Sequence, residues 1–145
     1  MLIKIIFPEK FKTSLLTGLV ICIAIGLFFT TNLWSEPSKT TMIQAAMCES
    51  IENFQPNNPA VVFSISQGEV FCFSNFDPVI QKTHIFHKWY KKDKLIFTMR
   101  LILSPPKWSS FSRIQLRDAD KGPWRVEIRD AGNTLLKTLR FSMVD

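Results

Sequence analysis

The chain has 145 residues, 46% of them hydrophobic and 21% charged, with a net charge of +6. That length bounds it to one ordinary domain. Its five glycines form no phosphate-cradling run, and no Gly-x-Ser-x-Gly occurs, so the loop of a nucleotide-binding enzyme and the serine hydrolase elbow are both excluded.

Lys4, Lys10 and Lys12, with Glu9, precede an uncharged window from Ser14 to Trp34. A membrane-spanning helix needs roughly 20 mostly apolar residues. Residues 14–34 meet that length, and Trp34 falls where an interfacial aromatic belonging to the span would sit. The rival reading is a cleaved signal peptide, with a shorter apolar core of roughly 7–15 residues and a small-x-small site behind it. After Phe29 the chain reads Thr-Thr-Asn-Leu-Trp-Ser-Glu-Pro, which has no Ala-x-Ala, so the expectation is a retained anchor. The positive-inside rule keeps residues 1–13 in the cytoplasm and exports the rest. In a bacterium the protein is then a single-pass inner-membrane protein with a periplasmic domain. Nucleic acids and nucleotides are excluded as everyday partners.

Residues 35–41 form a polar linker, and residues 42–145 the exported domain. Thr41-Met-Ile-Gln44 has the spacing of a capping box. Ile43, Met47, Ile51 and Phe54 follow at intervals of three and four, which predicts a short amphipathic helix from Met42 to about Asn53. Pro56 and Pro59 then stop it. Seven strands are predicted beyond: 60–66 and 69–76 as a hairpin around Gln67-Gly68, then 83–90, 95–103, 107–116, 123–130 and 134–144. In the last pair Trp124, Val126 and Ile128 alternate with Arg125, Glu127 and Arg129, and 130–133 supplies turn chemistry. Seven short strands at near-regular spacing predict a mainly β fold, an immunoglobulin-like antiparallel β-sandwich. Cys48 and Cys72 are an even pair in an exported domain. A disulfide between them is expected to stabilise by about 3 kcal/mol, the alternative being two buried free thiols.

Candidate chemistry is sparse. His84 and His87 lie three apart in a strand, so they face opposite ways and cannot share a metal. Asp118-Ala-Asp-Lys-Gly122 lacks the third acidic position and the distal glutamate of a calcium loop. Lys88, Lys91, Lys92 and Lys94 crowd one hairpin tip, either as a solvated turn or as an attraction for anionic headgroups and wall polymers. Among Trp89, Tyr90, Trp108 and Trp124, the alternation places Trp124 in the core. The candidate binding surface is His87, Tyr90, Trp108 and Arg113, with His87 alternatively a hydrogen-bonded histidine at the core edge. No catalytic residue, metal or cofactor is expected.

Three blocks resemble a bacterial family catalogued as domain of unknown function 2914. They are His87-Lys-Trp-Tyr90, then Lys107-Trp-Ser-Ser-Phe-Ser-Arg113, then Gly122-Pro-Trp-Arg-Val with Asp130, Gly132, Leu135 and Phe141. The resemblance spans about 60 residues and implies an exported or membrane-attached protein with a mostly β C-terminal domain. It brings no catalytic residues with it. The expected function is a membrane-anchored periplasmic domain that binds another envelope component, most readily a protein, without enzymatic activity. The rival is an envelope enzyme that binds or hydrolyses cell-wall glycan or peptidoglycan.

Overall fold

The computed structural model describes residues 39–145. The expected cytoplasmic segment 1–13, the anchor 14–34 and the start of the linker lie outside the described residues. Among the described residues no helix is long and apolar enough to cross a membrane.

Nine strands follow in order: β1 (Met42–Glu52), β2 (Gln55–Pro59), β3 (Val62–Ser64), β4 (Glu69–Phe76), β5 (Thr83–Lys91), β6 (Lys94–Leu103), β7 (Trp108–Gln115), β8 (Gly122–Asp130) and β9 (Leu135–Val144). They form a four-stranded sheet, β2-β1-β4-β7, and a five-stranded sheet, β3-β9-β8-β5-β6. All pairings are antiparallel except the parallel pair of β3 and β9.

The expected helix at 42–53 is corrected to strand β1. Its apolar residues at 43, 47 and 51 are four apart, an even spacing that suits one face of a regular strand as well as of a helix, although in β1 the pairing skips Ile43 and leaves it exposed. The choice is made by pairing. β1 runs beside β4 from Met42 to Cys48 and beside β2 from Cys48 to Glu52. The Thr41 hydroxyl donates to the Lys39 carbonyl and caps no helix. The prolines read as a helix stop lie in β2, at the sheet edge, where a missing N–H is tolerated. The hairpin expected around Gln67-Gly68 is also corrected. The turn there, with Gly68 at φ 85°, hands the chain from one sheet to the other, because β3 pairs with β9 while β4 pairs with β1 and β7.

The core fills the space between the sheets. Met47, Val70, Cys72 and Phe76 from one side meet Ile85, Val126, Ile128 and Met143 from the other. Trp89 is fully buried, stacked on Phe97 at 5.5 Å and edge-on to Phe141 at 6.0 Å. Trp124 is in the core, as its alternation requires, and its indole N–H donates to the Asp120 carbonyl at 2.6 Å. At the β8–β9 turn the Asp130 carboxylate accepts the Thr134 N–H at 2.8 Å, and Asn133 takes φ 67°.

The expected Cys48–Cys72 disulfide is corrected as well. Both thiols are free and buried. Register sets Cys72 opposite Met47 and Cys48 opposite Phe71, so the two side chains leave opposite faces of the sheet. Burial pushes the Cys48 thiol up to about 11. It raises Cys72 too, with the neighbouring Cys48 adding to the effect.

Candidate functional site

His87, Ser74 and Ser112 point inward from three strands and meet between the sheets. His87 Nδ1 lies 2.9 Å from Ser112 Oγ, and Nε2 lies 3.1 Å from Ser74 Oγ. Trp89 Nε1 donates to Ser112 Oγ at 3.0 Å, and the Ser74 hydroxyl reaches the Ser110 carbonyl at 3.5 Å. Counting donors assigns the tautomer. Ser112 accepts from the indole and donates to Nδ1; Nε2–H then donates to Ser74, which donates to the carbonyl. This is the arrangement in which every N–H and O–H of the group has an acceptor. His87 is 0% exposed, and burial pushes its pKa down to about 3. The imidazole and Ser74 hydroxyl stand at the separation of a base and its nucleophile. Neither side chain is open to solvent, and among the described residues no carboxylate is a hydrogen-bond partner of the imidazole.

The outer face of the four-stranded sheet is different. Register places Phe71 beside Arg113, Phe73 beside Phe111 and Asn75 beside Ser109. Phe71 and Phe111 are in contact, with centroids 6.0 Å apart. The β1–β2 hairpin ends in Asn53 and Phe54, at φ 49° and 58°. Its tip leans over this face. Phe54 lines one depression with Phe71, Phe111 and Arg113, and a second with Asn75, Lys107 and Trp108. Phe54 is 74% exposed, Phe111 44% and Trp108 43%. A two-residue turn with both φ positive favours glycine or asparagine, and a bulky side chain there is strained.

The four residues expected to form one binding surface are therefore separated. His87 is in the core. Trp108 and Arg113 line the two depressions that meet at Phe54. Tyr90 belongs to the other sheet, and its ring is covered by the Arg125 guanidinium at 4.2 Å. Arg125 is held in turn by Asp93 and by Glu127. Burial works against the Glu127 carboxylate, but hydrogen bonds from Arg129 and Arg125 outweigh it and lower its pKa. In the polar loop Asp118 pairs with Lys121 at 3.2 Å and Asp120 with Arg117 at 3.1 Å. Among the described residues no group of three or more His, Cys, Asp or Glu is placed to hold a metal ion.

Residues 82–143, from the start of β5 into β9, match the model of a protein family described as protein of unknown function (DUF2914). The match is confined to those residues, and the rest of the chain lies outside it. No curated protein matches the chain. The DUF2914 region supplies β5 to β9, hence His87, Ser112, Trp108 and Arg113. Ser74, Phe54 and Phe71 come from outside it. The buried network is thus completed by β4, and the aromatic face by β4 and the β1–β2 hairpin, all of which precede the DUF2914 region.

Sequence reasoning did not find Ser74, Phe54 or Phe111, nor the meeting of Ser112 with His87. The signal for the serines is polar residues at core-facing positions of apolar strands. The signal for Phe54 is an aromatic residue in a tight turn.

Proposed function

We propose that this chain is a non-enzymatic interaction domain, anchored in the inner membrane by residues 14–34, that contacts another protein of the bacterial envelope. The immunoglobulin-like sandwich serves as a rigid frame, and the contact is made by the outer face of the four-stranded sheet. The observation that carries this reading is the exposed set Phe54, Trp108 and Phe111 beside Arg113. Aromatic residues and arginine are the types enriched in protein interfaces and at their energetic centres. The sealed His87–Ser74 pair supports a structural rather than catalytic histidine. A glycan-binding reading draws on the Trp108 depression, where the amides of Gln55 and Asn75 stand beside an indole.

The test is a photo-crosslinking residue at position 111, compared with one at position 127 on the five-stranded sheet, in intact cells. The expected result is one recurrent envelope-protein adduct from position 111 and none from 127. Equal adducts from both positions, or none from 111, would overturn the reading. Co-sedimentation with purified cell wall that is lost in Trp108→Ala would favour the glycan reading.

A further inference from the structure

We infer that β6 is a dimerisation strand, on which a second copy of this chain pairs antiparallel about a two-fold axis at Met99. Among the described residues β6 ends the five-stranded sheet and has β5 as its one neighbour in it. It is ten residues long, an edge of about 33 Å. Exposed edges invite pairing unless they are short or carry proline, a bulge or inward charge. β2 has two prolines, β3 has three residues, and β7, the remaining edge, has three serines and the charged Arg113 among its eight residues. β6 has no proline, and Arg100 is its one charge between the terminal Lys94 and Leu103. The irregularity in its pairing with β5 skips Ile96, close to the turn, and leaves Phe97 to Leu103 in even register.

Its side chains are apolar on both faces. Leu95, Ile96, Met99 and Ile102 are 41–50% exposed. Met99 sits opposite His87 and so faces the inner side, yet it stays open. The five-stranded sheet outruns its four-stranded partner there.

An antiparallel pair sets like faces together, so the two-fold must fall on a residue rather than between two. On Met99, Phe97 meets Leu101 of the second copy, Thr98 meets Arg100, and Met99 meets itself. No like charges are opposed. Centring on Arg100 sets two guanidinium groups face to face, and centring on Thr98 carries Arg100 past Phe97 to the skipped Ile96. Met99 is therefore the register that joins apolar contact to charge compatibility. The inference rests on β6 alone and is independent of the function proposed above.

The test uses the full chain in lipid nanodiscs, with Cys22→Ser to remove the thiol in the expected anchor. In Met99→Cys the two Cα atoms would lie about 4.5–5.5 Å apart, within disulfide reach. Mild oxidation is expected to give a cross-linked dimer at least about tenfold more abundant than Leu95→Cys or Ile102→Cys gives. Thr98→Lys opposes like charges twice, and is expected to weaken dimerisation at least about tenfold by light scattering with an unchanged circular dichroism spectrum. Equal cross-linking at all three positions, a monomeric wild-type chain, or β6 pairing with a strand of a different protein would overturn the inference.

Discussion

His87 Nδ1 and the Ser112 hydroxyl meet at 2.9 Å across the gap between the two sheets. Ser112 also accepts the Trp89 indole N–H, so one hydroxyl serves two buried partners. Removing it leaves both unpaired, whereas removing Ser74 leaves one imidazole N–H. Each unsatisfied buried group costs about 1–3 kcal/mol. Ser112→Ala is therefore expected to destabilise more than Ser74→Ala, by about 1–2 kcal/mol. His87→Ala, which also opens a cavity, is expected to cost about 3–5 kcal/mol. Denaturant unfolding of the three variants checks the ranking.

The same burial makes stability depend on pH. The His87 pKa is about 3 in the folded protein, against about 6.5 for an unfolded chain. Between those values the unfolded state binds the extra proton, so stability is present above pH 6.5 and is lost as pH falls towards 3. The slope approaches about 1.4 kcal/mol per pH unit. His87→Gln keeps hydrogen-bonding capacity without the titration, and is expected to flatten the slope between pH 6.5 and 4.5. Unfolding curves at a series of pH values measure both.

Cys48 and Cys72 are expected to behave as buried free thiols. Their raised pKa values and burial predict no alkylation of the native protein at pH 8 and complete alkylation in denaturant. A reductant is expected to leave the melting temperature unchanged. Mass spectrometry after labelling decides it, with a mass 2 Da low before reduction contradicting the assignment.

The strands from β5 onward were legible because their apolar residues alternate and their turns carry the residues turns need. Asp130 to Asn133 is such a turn, and Trp124 went to the core as its register required. β1 was illegible for a physical reason. Residues 43, 47 and 51 satisfy a helix and a strand equally, and β4 and β2 settle the matter from elsewhere in the chain. The chain's path at Gly68 was hidden likewise, since a glycine turn marks a reversal but not which sheet receives the next strand. The Cys48–Cys72 bond looked natural by compartment, yet one residue of register sends the thiols to opposite faces. The buried network escaped notice because its members sit on β4, β5 and β7, and no single strand shows their meeting. Trp108 and Arg113 were found from composition, while Phe54, the residue that joins their depressions, looked like the end of a helix.

Phe54 holds φ 58° at the tip of the β1–β2 hairpin. A non-glycine residue there costs about 1–2 kcal/mol, and such strain persists where the side chain is needed. Phe54→Gly creates the Asn-Gly pair this turn prefers. It is expected to stabilise the fold by about 1 kcal/mol in denaturant unfolding, while removing an aromatic side chain from the proposed contact.

The yield of the envelope-protein adduct from a crosslinker at position 111, compared between the wild-type chain and Phe54→Gly at equal expression, tests the proposed interaction face most directly. The account predicts that the adduct falls at least about tenfold, as expected for an interface anchor worth more than about 1.4 kcal/mol, although the variant is the more stable protein. An undiminished adduct in Phe54→Gly would contradict it.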